Sequence, residues 1–219
     1  MSIRVALFPV KGGTGKTTLA LALAGAAALR GLRVLVVDQE ARTSRAAQSL
    51  LEGERPSMGE VLPGRGSWYG LRVMRWDGET PIPDEEADVT LIDCPADPDR
   101  ASAAAEVADV VLLPVQPEPF SVGGLQDAHA ALRPEDRAKA LVIVNGYDVR
   151  ERLHRDELDA IEQQLGALMV PGGIVPRRAA IPRAQAAGAP LQLSSTRGLE
   201  DTLPVIEVVL DAALAKGAK

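Results

Sequence analysis

The chain has 219 residues, 46% hydrophobic, 25% charged and only 3% aromatic, so it is long enough for a full core and that core is aliphatic. A formal net charge of -6 excludes a uniformly basic nucleic-acid binder and leaves room only for a local basic patch. No apolar run approaches the roughly 20 residues of a membrane-spanning helix, and the single cysteine, Cys94, excludes an internal disulfide.

In chain order, IRVALFPV (3 to 10) reads as a buried strand that begins without a signal or transit pattern, so a cytoplasmic setting is expected. GKTTLALALAGAAALRG (15 to 31) reads as an Ala/Leu helix stopped by Gly31, and RVLVVD (33 to 38) as a second buried strand. A helix is expected near 43 to 51. The Gly- and Pro-containing segment 53 to 86 is the least regular and holds a short edge strand, LRVMRW (71 to 76). Three more buried strands follow: VTLIDCP (89 to 95), VVLLPV (110 to 115) and ALVIVN (140 to 145). Helices are expected near 99 to 107, 121 to 132, 151 to 166, 179 to 187 and 199 to 216. Continuous apolar strands alternating with helices indicate an α/β fold, a mostly parallel central sheet with helices on both faces. One domain spanning 1 to 219 is expected. In the charged helix DVRERLHRDELDAIEQQLG (148 to 166), Leu153, Leu158, Ile161 and Leu165 are read as the core-facing stripe. His154 and His129 are read as solvated.

The stretch PVKGGTGKTT (9 to 18) carries the chemistry. It follows a buried strand and opens a helix, the context in which a glycine-rich loop cradles phosphate. Gly12, Gly13 and Gly15 let backbone N–H groups turn inward around Thr14, and the helix N-terminus adds partial positive charge. Lys16 is read as the contact to the β- and γ-phosphates, Thr17 as a Mg²⁺ ligand through its hydroxyl, and Thr18 as a contact to the α-phosphate. The plain form G-x-x-x-x-G-K-[ST] would have glycine where Val10 stands, and a second lysine, Lys11, is present.

K-G-G-x-G-K-[ST]-T with a leading lysine resembles the deviant Walker A motif of the ParA/MinD superfamily of ATPases. The resemblance implies a P-loop NTPase fold, ATP and Mg²⁺ as ligands, and an ATP-dependent homodimer in which Lys11 acts on the partner subunit's nucleotide. VVDQEAR (36 to 42) resembles the family's D-x-D-P-Q segment. Asp38 matches the first acid, expected near Mg²⁺. Glu40 stands where the family has the aspartate that activates the attacking water, and Ala41 and Arg42 replace the usual Pro and Gln. Glu40 is expected to act, with slow turnover, because small misplacements are costly. The plain alternative for Glu40 is a strand-end salt bridge. VTLIDCP resembles the Walker B strand, so Asp93 is expected at Mg²⁺ and Cys94 as a packed thiol. VVLLPVQPEPFSVGGL (110 to 125) resembles the strand and Pro-rich loop that lie near the nucleotide and dimer face. Asn145 reads either as an adenine contact or as a turn cap. IVPRRAAIPRAQAAGAPL (174 to 191) resembles the family's I-P-R block, which implies that Pro176 packs near adenine.

Within that family the resemblance is strongest to small partition or cargo-positioning ATPases without a DNA-reading extension. These imply non-specific DNA binding in the ATP state and hydrolysis stimulated by a ParB-like or adaptor protein. The cargo is a plasmid, chromosome or protein compartment, and the setting is the nucleoid. Arg177, Arg178 and Arg183 are the candidate DNA contacts, with Arg197 and Lys216 as further basic residues. Two other branches of the family fit less well. A MinD-like membrane-associated role needs a C-terminal helix with a basic stripe and bulky apolar residues, whereas LEDTLPVIEVVLDAALAKGAK (199 to 219) reads as packed on the domain, so no membrane partner is expected. A metabolic ligase would need a substrate pocket that the sequence does not reveal, and one cysteine cannot support a cluster bridging two subunits.

Overall fold

The computed structural model describes residues 2–39, 57–63, 71–83, 87–186, 191–193 and 196–218. The helix expected near 43 to 51, and Glu40, Ala41 and Arg42, lie outside these residues. Among the described residues eight strands form one sheet: β1 (Ile3–Leu7), β2 (Val34–Asp38), β3 (Val61–Pro63), β4 (Leu71–Arg75), β5 (Val89–Asp93), β6 (Val110–Val115), β7 (Ala140–Tyr147) and β8 (Met169–Pro176). Their order is β3-β4-β2-β5-β1-β6-β7-β8, and every pair is parallel except β3 with β4. The sheet therefore has the mostly parallel α/β architecture expected of the P-loop fold.

Helices α1 (Lys16–Leu29), α2 (Pro98–Val107), α3 (Ser121–Ala131), α4 (Arg152–Leu165), α5 (Ala180–Ala186) and α6 (Leu203–Gly217) cover the sheet. Alternating strand residues feed two separate cores. Val5, Leu7, Val34, Val36, Leu91 and Leu112 face α1 and α6. Ala6, Leu35, Val37, Ile92, Val111 and Leu113 face the side of α2, α3 and α4. That division explains why the strands read as unbroken apolar runs: both of their faces are buried. The alanines of α1 serve the same purpose. Ala20, Ala22, Ala24, Ala26 and Ala27 are all fully buried, so the helix is enclosed by the sheet, α6 and the short turn Leu191–Leu193 rather than lying on the surface.

Four sequence expectations are corrected. LRVMR is not an edge strand: β4 pairs parallel with β2 on one side and antiparallel with β3 on the other. β8 is an additional strand that the prolines and glycines of MVPGGIVP conceal. Its pairing with β7 jumps from Val142↔Met169 to Val144↔Ile174, and the surplus residues bulge at Gly172, whose φ of +77° suits glycine. On α4 the buried stripe is His154, Leu158 and Ile161, while Leu153 is exposed. His154 has the correct i, i+4, i+7 spacing, and Leu153, one residue earlier, is turned about 100° off that stripe. The last helix begins at Leu203, not 199, and buries Ile206, Val209, Leu210 and Ala213.

Candidate nucleotide site

Strand register places the chemistry at one edge of the sheet. Leu7 is paired with Asp93, and Asp93 with Asp38, so the loop after β1 and two buried carboxylates meet at the strand C-termini. Open α/β sheets bind ligands at this edge, where chain connections diverge from a central strand. The loop 8–15 then delivers α1, whose first residues are Lys16 and Thr17.

The loop is held from below by β6 and β7. Asn145 Nδ2 donates to Thr14 O at 2.7 Å, and Gln116 Nε2 donates to Gly13 O at 3.3 Å. Thr14 Oγ1 donates to Lys11 O at 3.3 Å across the turn. Gly15 has φ +86°, and a Cβ there would sit 2.3 Å from Asn145 Nδ2, so both conformation and space require glycine. At Gly12 and Gly13, by contrast, an added Cβ would meet nothing within 4 Å. The loop is tight where it rests on the protein and open on its other side.

That open side fits a phosphate. The N-cap of α1 makes no side-chain hydrogen bond and the first turn has no acidic residue. Its N–H groups and helix dipole are thus available to an anion. Lys16 is buried at 8% exposure. Thr17 Oγ1 donates to Asp93 Oδ2 at 2.7 Å. Hydroxyl and carboxylate oxygens are hard donors suited to Mg²⁺. Among the described residues no group of three or more His, Cys, Asp or Glu could hold a metal by itself, so the cation would need phosphate oxygens to complete its shell. The residues fit a Mg–nucleotide, which Thr17, Asp93 and Asp38 could hold.

The segment after β2 is stitched to the segment after β5. Gln39 N donates to Asp93 O at 3.1 Å and Gln39 Nε2 to Arg100 O at 2.8 Å. Asp38 is 1% exposed. Cys94 is packed, its Sγ 3.8 Å from Ile92 O, and burial pushes its thiol far above the usual range.

The two lysines of the loop have opposite environments. Lys16 points into the fold, whereas Lys11 keeps 56% side-chain exposure and forms an ion pair with Glu118. Lys11 and Glu118 line a cleft of about 240 Å³ with Val10, Thr14, Pro119 and Phe120. Sequence reasoning located this loop but not Gln116 or Glu118. The available signal was that they are the only polar residues in VVLLPVQPEPF.

The remaining candidates sit at the ends of β7 and β8. Asn145 supports the phosphate loop, and Pro176 lines a cleft of about 350 Å³ with Tyr147, Asp148, Val149, Arg150 and Arg178. The three candidate DNA arginines are not equivalent. Arg177 pairs with Glu151 at 3.2 Å and Arg178 with Asp201, while Arg183 is exposed on α5. Arg150, which sequence reasoning did not single out, lines the same cleft as Arg178 and pairs with Asp148 at 2.7 Å.

Comparison with known proteins agrees with this architecture. Residues 5–191 match the family model of the CobQ/CobB/MinD/ParA nucleotide binding domain. The chain is 32% identical over 194 residues to the chromosome-partitioning ATPase Soj of Thermus thermophilus, covering 75% of this chain and 76% of Soj. In fold it is similar to apo McdA of Cyanothece, with TM-score 0.79, 18% identity, and 98% and 100% of the two chains covered. It is likewise similar to the cell division ATPase MinD of Pyrococcus furiosus, with TM-score 0.76, 19% identity and 97% and 100% coverage. A phosphate loop with one buried and one outward lysine, two carboxylates in register beside it and a family match over most of the sequence converge on one assignment: the chain belongs to the ParA/MinD family of nucleotide-binding P-loop ATPases.

Proposed function

We propose that this chain is an ATP-dependent dimerising switch that positions a cargo along DNA. The observation that carries the reading is the divergence of the two loop lysines. Lys16 is buried beside its own phosphate cradle, and Lys11 is at the surface, where it can reach a nucleotide held by a second copy. A cation supplied across an interface neutralises charge on the transferring phosphoryl group only once the dimer exists, and comparable trans-acting arginines contribute roughly 10³–10⁵ in rate.

In this reading the N–H groups of Gly12, Gly13 and Gly15 wrap the phosphates, Lys16 neutralises the β- and γ-oxygens, and Thr18 meets the α-phosphate. Thr17, Asp93 and Asp38 would hold Mg²⁺, which would supply positive charge to offset that of the phosphates. Glu40 orients the attacking water, and its extra methylene relative to aspartate slows hydrolysis. Asn145 holds the phosphate loop through Thr14 O, and Pro176 borders the adenine. ADP releases the dimer, and a ParB-like or adaptor protein accelerates that step.

DNA contact falls on Arg177, Arg178 and Arg183. Because Arg177 and Arg178 each face a carboxylate, DNA phosphate must compete with Glu151 and Asp201. Each subunit then binds weakly, and joining two patches in one dimer raises the affinity through multivalency. A membrane role is disfavoured by α6, whose apolar residues Ile206, Val209, Leu210 and Ala213 are already buried in the fold.

The test is binding to non-specific DNA, and separately to anionic liposomes, with no nucleotide, ADP or ATP. Binding to DNA only with ATP is expected, with the log–log salt slope reduced in an Arg177→Ala/Arg183→Ala variant. Equal DNA binding in all three states overturns the switch, and ATP-dependent liposome binding overturns the DNA assignment.

A further inference from the structure

We infer that Phe120 is the apolar anchor of this chain's self-association, inserting into the cleft beside the phosphate loop of a second copy. Two independent features single it out. It is 90% exposed, the most exposed of the large hydrophobic residues described. It is also the only non-glycine described residue with positive φ, at +70°. An aromatic side chain in the left-handed region is strained, and strain of this kind persists where the surroundings hold a residue in place for a task. Here the backbone is held on both sides. Ser121 N donates to Glu118 O at 3.0 Å and Gly124 N to Phe120 O at 3.0 Å. The ring is therefore presented outward by a rigid mount at the start of α3.

The occupant follows from what lies next to it. Phe120 rises from the rim of the cleft of about 240 Å³ formed by Val10, Lys11, Thr14, Val115, Pro119 and Gly124. Those walls are mostly apolar, and the volume is of the order of one large side chain. A two-fold interface needs a patch that is complementary to itself, so a knob must lie beside a matching hole on one face. The rim charges obey the same rule. Lys11 and Glu118 are of opposite sign and pair within one subunit, so the rim meets its own copy without an excess of like charge. No different partner is needed to explain the knob, the hole and the paired charges together. This inference rests on the ATP-dependent dimer proposed above and adds the residue that carries its apolar contact.

The test uses the full chain with Mg²⁺ and a non-hydrolysable ATP analogue, followed by sedimentation velocity. Wild type, Phe120→Ala, Phe120→Gly and Phe120→Tyr are compared, with ADP affinity and thermal melting as controls of folding. Glycine is at home at positive φ and removes the strain, so it separates loss of the ring from damage to the loop. Truncating an interface anchor costs about tenfold or more, and it occurs twice in a two-fold dimer, so about a hundredfold weaker self-association is expected for Ala and Gly. Phe120→Tyr should self-associate close to wild type, and ADP affinity should be unchanged throughout. If wild type dimerises with the analogue and Phe120→Gly dimerises equally well, the anchor is refuted while the dimer stands. If wild type stays monomeric, the dimer reading fails and the anchor with it.

Discussion

Thr17 Oγ1 donates to Asp93 Oδ2 at 2.7 Å, tying the first turn of α1 to the last residue of β5. The bond fixes hydroxyl and carboxylate side by side at the edge where the phosphate loop opens. Asp93→Asn keeps an acceptor for Thr17 and removes only the charge. ATP hydrolysis is therefore expected to fall on the order of 10²-fold in Asp93→Asn, with little change in melting temperature. Steady-state hydrolysis as a function of Mg²⁺ concentration measures it, and wild-type turnover in the variant would take Asp93 out of the site.

Lys11 is held within its own subunit by Glu118, both side chains being about half exposed. An exposed pair of this kind contributes at most about 1 kcal/mol. Glu118→Gln should therefore loosen Lys11 without unfolding anything. If release of the cis pair is part of dimer formation, self-association with an ATP analogue should change by no more than about fivefold, in the direction of tighter association. Salt should mimic the variant, because it screens the same pair. Weaker association in Glu118→Gln would mean instead that Glu118 contributes more to the dimer than to the monomer.

Much of this site can be read in the sequence because phosphate loops impose local requirements. Gly15 cannot carry a side chain, Lys16 and Thr17 must open the helix, and Asp38 and Asp93 must end apolar strands. Each of these requirements leaves a mark in a window of a few residues. The parts that sequence does not reveal depend on long-range contacts. Glu118 lies 107 residues from Lys11 and Asn145 lies 131 from Thr14, and neither pairing has a local signature. β8 is hidden because its prolines and glycines belong to an edge strand with a bulge, where the sheet tolerates them. β4 reads as an edge because β3, only three residues long, gives no periodicity of its own.

His154 shows how a polar residue can occupy a core position. Its Nδ1 accepts the Asp148 N–H at 2.9 Å, and its Nε2 lies 3.2 Å from Glu151 Oε2. The ring thus closes the turn between β7 and α4 from inside. His154→Leu keeps the apolar packing and leaves the Asp148 N–H without its acceptor, which should destabilise the fold by about 1–3 kcal/mol. His154→Asn, with a carbonyl oxygen near the Nδ1 position, should recover part of that loss. Urea unfolding midpoints decide it: a leucine variant as stable as wild type would show that the ring serves only as filler.

Asp136 gives the fold a defined acid sensitivity. Its side chain is 1% exposed and accepts from Arg133 Nε at 2.6 Å and Lys139 Nζ at 2.8 Å, fastening the turn Pro134–Arg137 to the start of β7. Glu106 and Glu135 also face Arg133, at 3.1 and 3.5 Å, and share its charge. Burial alone would raise the Asp136 carboxyl, but the hydrogen bonds from Arg133 and Lys139 outweigh it, and the value is lowered. A carboxyl lowered in the folded state stabilises the fold above its ordinary value near 4. That contribution is lost as pH falls through the lowered folded value. Asp136→Asn should therefore cost about 2 kcal/mol at neutral pH. The gap between variant and wild type should narrow as pH drops below about 4. Denaturant titrations at a series of pH values measure the gap directly. A gap that stays constant into acid would show that the cost of Asp136→Asn is steric, with no contribution from the charge of the native carboxylate.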